Sequence, residues 1–279
     1  MAKTESGAWF IRMMLRTGRD KVGKTQEQIA RLVHVSPDTY RAYEAGRSSP
    51  HASIMENLAK ACGYDAELAE YMVKAADARA EEWEALEANP RFNALYIALA
   101  ERFYGEIFKF DALMIPGILQ LQGYHYLVVR LAEPLANDDF IDGGWDFKES
   151  RIADIQARTD RPQMQFLIGE TALIQLRMID EELYQEQMAH LRRWAKKPGV
   201  LIRILRGPVL AQRSNIEIYH VGKSKLAGPD IAYSEIADSS WLIDDPKRIA
   251  SYDGLRKILW KQAIRIEVYN DDDWRYRLA

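Results

Sequence analysis

The sequence contains one cysteine, Cys62, among its 279 residues. A single cysteine excludes an intrachain disulfide and a cysteine-rich metal site, which is typical of proteins of a reducing cytoplasm. No run of about 18 uncharged apolar residues occurs, so we expect no membrane span. The first residues lack a long apolar stretch with a small-residue cleavage site, so we expect no secretion signal. These absences predict a cytoplasmic protein.

The sequence also lacks the common patterns of a metal, cofactor or catalytic site. Its five histidines are scattered, and neither a Gly-rich phosphate loop nor a Gly-x-Ser-x-Gly turn is present. We therefore expect no metal, no cofactor and no enzymatic activity. Three glutamates, Glu101, Glu170 and Glu235, leave one alternative open, because carboxylates that converge in a pocket can do acid–base work. The other interpretation of each is a helix cap or the partner of a nearby arginine.

Charge is distributed unevenly along the chain, although the net charge is only −3. Residues 1–63 contain ten Lys/Arg and six Asp/Glu, and the remaining residues contain 28 and 35. Residues 64–90 alone contain two Lys/Arg and eight Asp/Glu. A basic N-terminal part of this kind attracts phosphate groups.

Two short helices with separate start signals are predicted within residues 24–50. Thr25 and Gln28 form a capping box, and Ser36-Pro37 places an N-cap residue before a proline at the first helical position. The second helix is predicted to stop at Gly46, and a break at His34-Val35 separates the two. Two helices joined by about three residues form a helix-turn-helix, which places one helix in the DNA major groove.

The segment from Thr25 to Arg47 resembles the helix-turn-helix of the Cro/phage-repressor (XRE) family. The matching positions are Gln26, Ala30, Val35-Ser36, Thr39, Glu44-x-Gly46-Arg47 and Pro50. The resemblance implies a lambda-repressor-like, all-α N-terminal domain of about five helices that binds double-stranded DNA. Because one such unit reads only a few base pairs, we expect a homodimer on a pseudo-palindromic operator.

The resemblance also assigns DNA contacts to particular residues. Gln26 lies where the family contacts a phosphate or a base edge, and Arg19 and Glu44 occupy the positions of a structural ion pair. The expected base-reading residues are Pro37, Asp38, Thr39, Arg41 and Ala42. The expected phosphate contacts are Lys24, Arg47 and Ser48.

Two positions depart from the pattern of that family. His34 stands where the turn usually has Gly, so it is predicted to adopt a positive φ at some cost. Asp38 is unusual beside negative phosphates, and two interpretations stay open for it. It either contacts a base or stabilises the helix N-terminus.

The rest of the chain predicts an acidic helical connector over residues 64–90 and a larger α+β domain over residues 91–279, after a helix-turn-helix domain over 1–63. The predicted helices cover 92–108, 117–131, 148–158, 180–196 and 246–263. The predicted strands cover 163–168, 200–205, 216–221, 231–236 and 265–269.

A second resemblance covers nearly the whole chain. Its motifs include Phe92…Tyr96-Ile97…Glu101, Ile115-Pro116-Gly117-Ile118-Leu119-Gln120…Tyr124, Gln165-Phe166-Leu167-Ile168-x-Glu170 and Ala232-Tyr233-x-Glu235. They resemble the C-terminal domain of uncharacterised function in WhiJ-like regulators of actinobacteria. That resemblance implies an antitoxin-like protein with a small partner encoded by a neighbouring gene. The implied partner or ligand surface consists of Glu101, Pro116, Gly117, Gln120, Tyr124, Glu170, Tyr233 and Glu235.

The sequence leaves several alternatives open. The segment 115–120 either has a structural role, with Pro116 and Gly117 starting a helix close to a neighbouring backbone, or lines a ligand or partner surface. The protein is either a DNA-binding regulator under the control of a partner or a small-molecule effector, or an interaction protein whose DNA binding serves autoregulation. An enzyme with a DNA-binding head is the third hypothesis.

Overall fold

The computed structural model describes residues 5–77, 86–207, 215–236 (without the side chain of Ile236) and 239–270. The elements in chain order are α1 (Glu5–Lys21), α2 (Gln26–Leu32), α3 (Pro37–Glu44), α4 (Ala52–Ala61), α5 (Ala66–Asp77), α6 (Pro90–Phe103), β1 (Glu106–Asp111), a 3₁₀ turn (Gly117–Leu119), α7 (Gln122–Ala132), α8 (Asp138–Gln156), β2 (Gln163–Gly169), α9 (Glu170–Ile179), α10 (Glu181–Ala195), β3 (Val200–Leu205), β4 (Asn215–His220), β5 (Ile231–Ile236), β6 (Ser239–Ile243), α11 (Pro246–Gln262), β7 (Ile264–Arg265) and a second 3₁₀ turn (Ile266–Val268). A helical N-terminal region followed by an α+β region is the predicted fold class, which is confirmed.

The chain divides into two compact units. The first contains residues 1–103 and 225–244, and the second contains residues 104–224 and 245–279. The boundaries of the compact units differ from the predicted domain boundaries at residues 63 and 90. The predicted domain boundaries stay a prediction. Of the predicted connector, residues 66–77 form α5, and residues 78–85 lie outside the described part of the chain.

The predicted helix starts of the first unit are confirmed. Thr25 Oγ1 accepts a hydrogen bond from the Gln28 amide, and Gln28 Oε1 accepts one from the Thr25 amide in return. Ser36 Oγ accepts from the Thr39 amide, with Pro37 at the first helical position. These local bonds satisfy backbone donors that a helix leaves unpaired at its N-terminus, so they place α2 and α3.

Helices α1 to α4 all end in the same hydrogen-bonded turn. After each helix, one amide bonds to the carbonyl five residues back and the preceding amide bonds to the carbonyl three residues back. The residue in the left-handed conformation is Gly23, His34, Gly46 and Gly63 in turn. The predicted positive φ of His34 is confirmed at 56°. Only the turn between α2 and α3 uses a residue with a side chain, which costs about 1 kcal/mol.

The core of the first unit joins the N-terminal helices to distant parts of the chain. On α1, the Phe10 ring lies 4.8 Å from the Phe92 ring of α6. Trp9 Nε1 donates to the Leu226 carbonyl at 2.8 Å, and Asn93 Nδ2 on α6 donates to Ser240 Oγ of β6 at 2.9 Å. Residues 90–103 and 225–244 are therefore built into the unit that carries the helix-turn-helix.

The second unit contains a mixed sheet with the strand order β4-β1-β2-β3-β7. The pairs β1–β2 and β2–β3 are parallel, with Phe108 opposite Gln165 and Phe166 opposite Ile202. Strands β4 and β7 are antiparallel to β1 and β3. Helices α9 and α10 connect β2 to β3, as parallel pairing requires a crossover.

Several predicted elements differ from the structure. The helix predicted over 92–108 ends at Phe103, because residues 107–110 form the buried centre of β1. The helix predicted from residue 117 starts at Gln122 after a 3₁₀ turn, and the last predicted strand is reduced to Ile264–Arg265. Helix α9 and strand β6 had no predicted counterpart. No helix within the described ranges has the length and apolarity that would take it through a bilayer.

Candidate nucleic-acid interface

A buried polar cluster fixes the geometry of the helix-turn-helix. Glu44, at the end of α3, has a side chain only 4% exposed. It accepts hydrogen bonds from Arg19 Nε at 2.5 Å, from Arg19 Nη2 at 3.1 Å and from Gln26 Nε2 at 2.7 Å. The hydrogen bond to Glu44 raises the pKa of Arg19 above its ordinary value. The Arg19–Glu44 pair is present as expected, and it ties α3 to both α1 and α2.

Gln26 and Lys24 lie at the edge of this cluster. Gln26 is half-buried and its amide nitrogen already donates one bond to Glu44, which leaves a second N–H of that nitrogen for a phosphate oxygen. Lys24 is also half-buried, and its carbonyl accepts from Arg19 Nη1 at 3.2 Å. The DNA contacts of both residues stay predictions.

The exposed face of α3 carries a pair of opposite charges. Arg41 Nη2 donates to Asp38 Oδ1 at 2.6 Å, and the two side chains are 48% and 90% exposed. The hydrogen bond from Arg41 and then the charge of Arg41 lower the pKa of Asp38, with a smaller contribution from Arg47. Asp38 is therefore an anion at neutral pH that holds the guanidinium of Arg41. This adds an orienting role to the two interpretations that the sequence left open.

The other predicted base-reading residues are less accessible. Pro37, Thr39 and Ala42 are half-buried. Thr39 Oγ1 also lies 2.8 Å from Ser36 Oγ, so its hydroxyl takes part in the start of the helix. Of the five predicted base-reading residues, Asp38 and Arg41 are the exposed ones.

The predicted phosphate contacts Arg47 and Ser48 follow α3 in an exposed loop. The Arg47 amide bonds to the Ala42 carbonyl at 2.9 Å, which holds the loop against the end of the helix. Arg31 on α2, which is not among the predicted contacts, is 74% exposed and pairs with Glu27 at 2.6 Å. The Glu27-x-x-x-Arg31 spacing was the available signal for that residue.

Cys62 and Tyr40 belong to the core beneath α3. Cys62 is 1% exposed and Tyr40 is fully buried, with Tyr40 Oη 3.9 Å from Cys62 Sγ. Burial raises the pKa of the Cys62 thiol to about 11, so the thiol is protonated and inert at neutral pH. Tyr40 anchors the buried side of α3 and leaves its opposite side to solvent.

The predicted partner or ligand surface is divided between the two compact units. Its members in the first unit are Glu101 (buried, on α6), Tyr233 (buried, on β5) and Glu235 (exposed, on β5). Its members in the second unit are Pro116, Gly117, Gln120, Tyr124 and Glu170. Glu170 is the first residue of α9 and lies 3.6 Å from Arg206 Nε.

The polar side chains of the segment 115–124 are bonded within the second unit. Gln120 Nε2 donates to the Ile115 carbonyl at 2.6 Å, and Tyr124 Oη accepts from the Ile115 amide at 3.1 Å. Lys148 Nζ donates to Gln120 Oε1 at 2.5 Å. Pro116 precedes the 3₁₀ turn, and a Cβ on Gly117 would meet only Lys148, at 3.6 Å. These bonds favour the structural interpretation of the segment.

Comparison with known proteins gives two family matches. A family model described as a helix-turn-helix domain matches residues 13–72, which include α2, α3 and the turn at His34. A second, described as "Domain of unknown function (DUF5753)", matches residues 97–267 and so covers more than half of the chain. No curated protein and no solved structure matches the chain. The chain therefore belongs to the family defined by this domain of unknown function (DUF5753), and it carries a helix-turn-helix domain before the family region.

Proposed function

We propose that this protein is a sequence-specific transcriptional regulator of the XRE type that binds a pseudo-palindromic operator as a homodimer. The observation that carries the proposal is the arrangement of α3. Its C-terminal end is fixed to α1 and α2 through Glu44, and its exposed face presents Asp38 and Arg41 to solvent. A rigidly held helix with an exposed arginine is the arrangement that reads a major groove.

The contacts divide into two kinds under this proposal. Arg41 donates to a guanine, while Asp38 either accepts from a cytosine N4 or holds Arg41 in place. Arg47, Ser48 and Lys24 contact phosphates and set the position of the protein along the DNA. One α3 offers few base contacts, so a second copy on the other half-site supplies the affinity.

The test is selection of bound sites from genomic DNA, followed by titration of the recovered operator. We expect Arg41→Ala to weaken operator binding about tenfold or more and to relax specificity at one position of each half-site. Arg47→Ala should weaken all sequences alike and reduce the salt dependence by about one ion. Arg192→Ala, an exposed arginine on α10, is the control and should change neither. Recovery of no motif would contradict the proposal.

We also propose that this protein belongs to the WhiJ-like, antitoxin-like regulators of actinobacteria. Under this proposal, a small protein or ligand controls its DNA binding in the cytoplasm. An apolar groove in the second unit favours a protein partner, since several of its lining side chains are exposed. These are Leu113 (51% exposed), Met114 (41%), Leu131 (64%) and Ile179 (56%). Isolated exposed apolar residues are ordinary, but a contiguous group marks an interaction surface.

A regulator and an antitoxin-like interaction protein differ in their need for this groove, because only the second must bind a small protein partner. The test is co-expression of the full chain with the product of the neighbouring reading frame, with Leu131→Glu as the variant. If the protein is mainly an antitoxin-like interaction protein, the two products co-purify and Leu131→Glu abolishes this while leaving DNA affinity unchanged. If the neighbouring product does not bind, the antitoxin-like role is contradicted and the regulator stands alone.

A further inference from the structure

A cleft of about 400 Å³ lies in the second unit, at the amino ends of β2 and β3. Its walls come from the end of α8, the loop that leads into β2, the end of α10 and the loop that leads into β3. The residues that line it include Arg158, Arg161, Met164, Trp194, Lys197 and Val200. No part of the proposed DNA interface or of the apolar groove belongs to this cleft.

The lining combines positive charge with apolar surface. Among the described residues, its lining contains three cations, Arg158, Arg161 and Lys197, and no aspartate or glutamate. Arg158 is held by Asp160 through two hydrogen bonds of 2.9 and 2.7 Å, and by the Tyr104 carbonyl at 2.6 Å. Its charge is therefore largely satisfied inside the protein. Arg161 and Lys197 are the cations that remain for a ligand.

Lys197 is held over an aromatic ring at one wall. Its ammonium lies 3.7 Å from the centroid of the Trp194 ring, and Trp194 is 3% exposed. This cation–π contact fixes the position of the charge. Burial also lowers the pKa of Lys197, because partial desolvation penalises the charged ammonium. A bound anion would remove that penalty.

The backbones of the two loops pack closely against each other. Arg161 adopts φ +50°, and Gly199, in the facing loop, adopts φ +83°. A Cβ on Gly199 would lie 2.5 Å from the Pro162 carbonyl oxygen, so only glycine allows the loops to approach this closely. Arg161 has a side chain, so the left-handed conformation strains its backbone. Residues held in this way persist where the surroundings determine them, commonly at ligand sites.

We propose that this cleft binds a small organic anion that has an apolar body, with the anionic group between Arg161 and Lys197 and the body against Met164 and Val200. Apolar walls with a few placed polar groups are the usual composition of a small-molecule site, and the cleft has the usual volume. The site goes beyond the proposed DNA binding and does not depend on it.

The experiment is calorimetric titration of the full-length protein, without DNA, with octanoate, octan-1-ol and acetate. Octanoate has both the charge and the apolar chain, whereas each of the other two lacks one of them. We expect octanoate to bind with one site per chain and at least tenfold more tightly than the other two compounds. Binding of octanol that equals that of octanoate would overturn the proposal, as would no octanoate binding at millimolar concentration.

Substitutions then locate the site. Lys197→Gln and Arg161→Asn should each weaken octanoate binding about tenfold, since each removes a charge-assisted contact. Asn tolerates the left-handed conformation at residue 161, and Lys197→Arg should retain binding, so loss of charge is separated from damage to the fold. Lys196→Gln makes the same charge change at the neighbouring exposed residue and should have no effect. Equal weakening by Lys196→Gln and Lys197→Gln would overturn the assignment to the cleft.

Discussion

The polar side chains of α3 and those around the segment 115–124 differ in what surrounds them. On α3, Asp38 and Arg41 bond to each other in water, with side chains 90% and 48% exposed. In the second unit, Gln120 is 6% exposed and Gln187 of α10 is fully buried. An exposed pair can exchange its partner for DNA at little cost, whereas a buried group that loses its partner is left unsatisfied.

Gln187 shows that the polar side chains around the segment 115–124 form a framework, that is, a group of side chains whose bonds hold the fold together. Its Nε2 donates to the Leu119 carbonyl at 2.8 Å, and its Oε1 accepts from the Leu121 amide at 2.9 Å. Both backbone groups flank Gln120, so one side chain satisfies the turn that the motif builds. A polar motif in a sequence is thus a binding surface or a framework, and burial distinguishes the two. Substitutions of single residues test this distinction, from the largest expected effect on stability to the smallest.

Glu44→Gln should destabilise the protein most, by about 3 kcal/mol, although it lies in the helix-turn-helix. The change removes the buried carboxylate from Arg19, whose side chain is 16% exposed and whose remaining ion pair is to the half-exposed Asp20 at 2.9 Å. The measurement is the free energy of unfolding from denaturant titration. Glu27→Gln, which breaks the exposed pair with Arg31, is the control and should cost less than about 0.5 kcal/mol. Equal effects of the two changes would show that burial does not decide the outcome.

Gln187→Leu should cost about 2 kcal/mol, because the Leu119 carbonyl and the Leu121 amide lose their partner inside the protein. Gln185→Leu is the matched control on the same helix, since Gln185 is exposed and donates to Glu181 Oε1 at 2.8 Å. The measurement is again denaturant unfolding, with operator affinity measured in parallel. A large loss of affinity at unchanged stability would mean that the segment 115–124 acts in binding rather than as framework.

The sequence predicted the features that depend on local contacts and missed those that depend on distant parts of the chain. Helix starts at Thr25 and Ser36 and the positive φ of His34 depend on contacts within five residues, so the sequence revealed them. Strand β1 was missed because its buried centre depends on pairing with β2 and β4, which are distant in the chain. The bonds from Lys148 and Gln187 to the segment 115–124 span 28 and 66 residues, so no local sequence pattern predicts them.

His34→Gly should stabilise the protein by about 1 kcal/mol, which corresponds to a rise of about 2 °C in Tm. The change removes the backbone strain of a left-handed residue that has a side chain. Among the turns that end α1 to α4, the turn at His34 is the one that lacks glycine. The greater freedom of glycine in the unfolded chain offsets part of the gain. His34→Ala keeps the Cβ and should give no increase in Tm. A rise with Ala as large as with Gly would locate the strain in the imidazole rather than in the backbone.

Asp38→Asn should leave Tm within about a degree of the wild type, because the pair with Arg41 is exposed on the surface. Its effect should appear only in the DNA sequence that is selected. If Asp38 accepts from a cytosine, Asp38→Asn changes the base preferred at one position and leaves the position read by Arg41 intact. If Asp38 only orients Arg41, Asp38→Asn relaxes the position that Arg41→Ala also relaxes. Adding Asp38→Asn to Arg41→Ala then has no further effect, since the residue that Asp38 acts through is already gone. A fall of several degrees in Tm would instead place Asp38 with the framework, and the contrast between the face of α3 and the buried clusters would no longer hold.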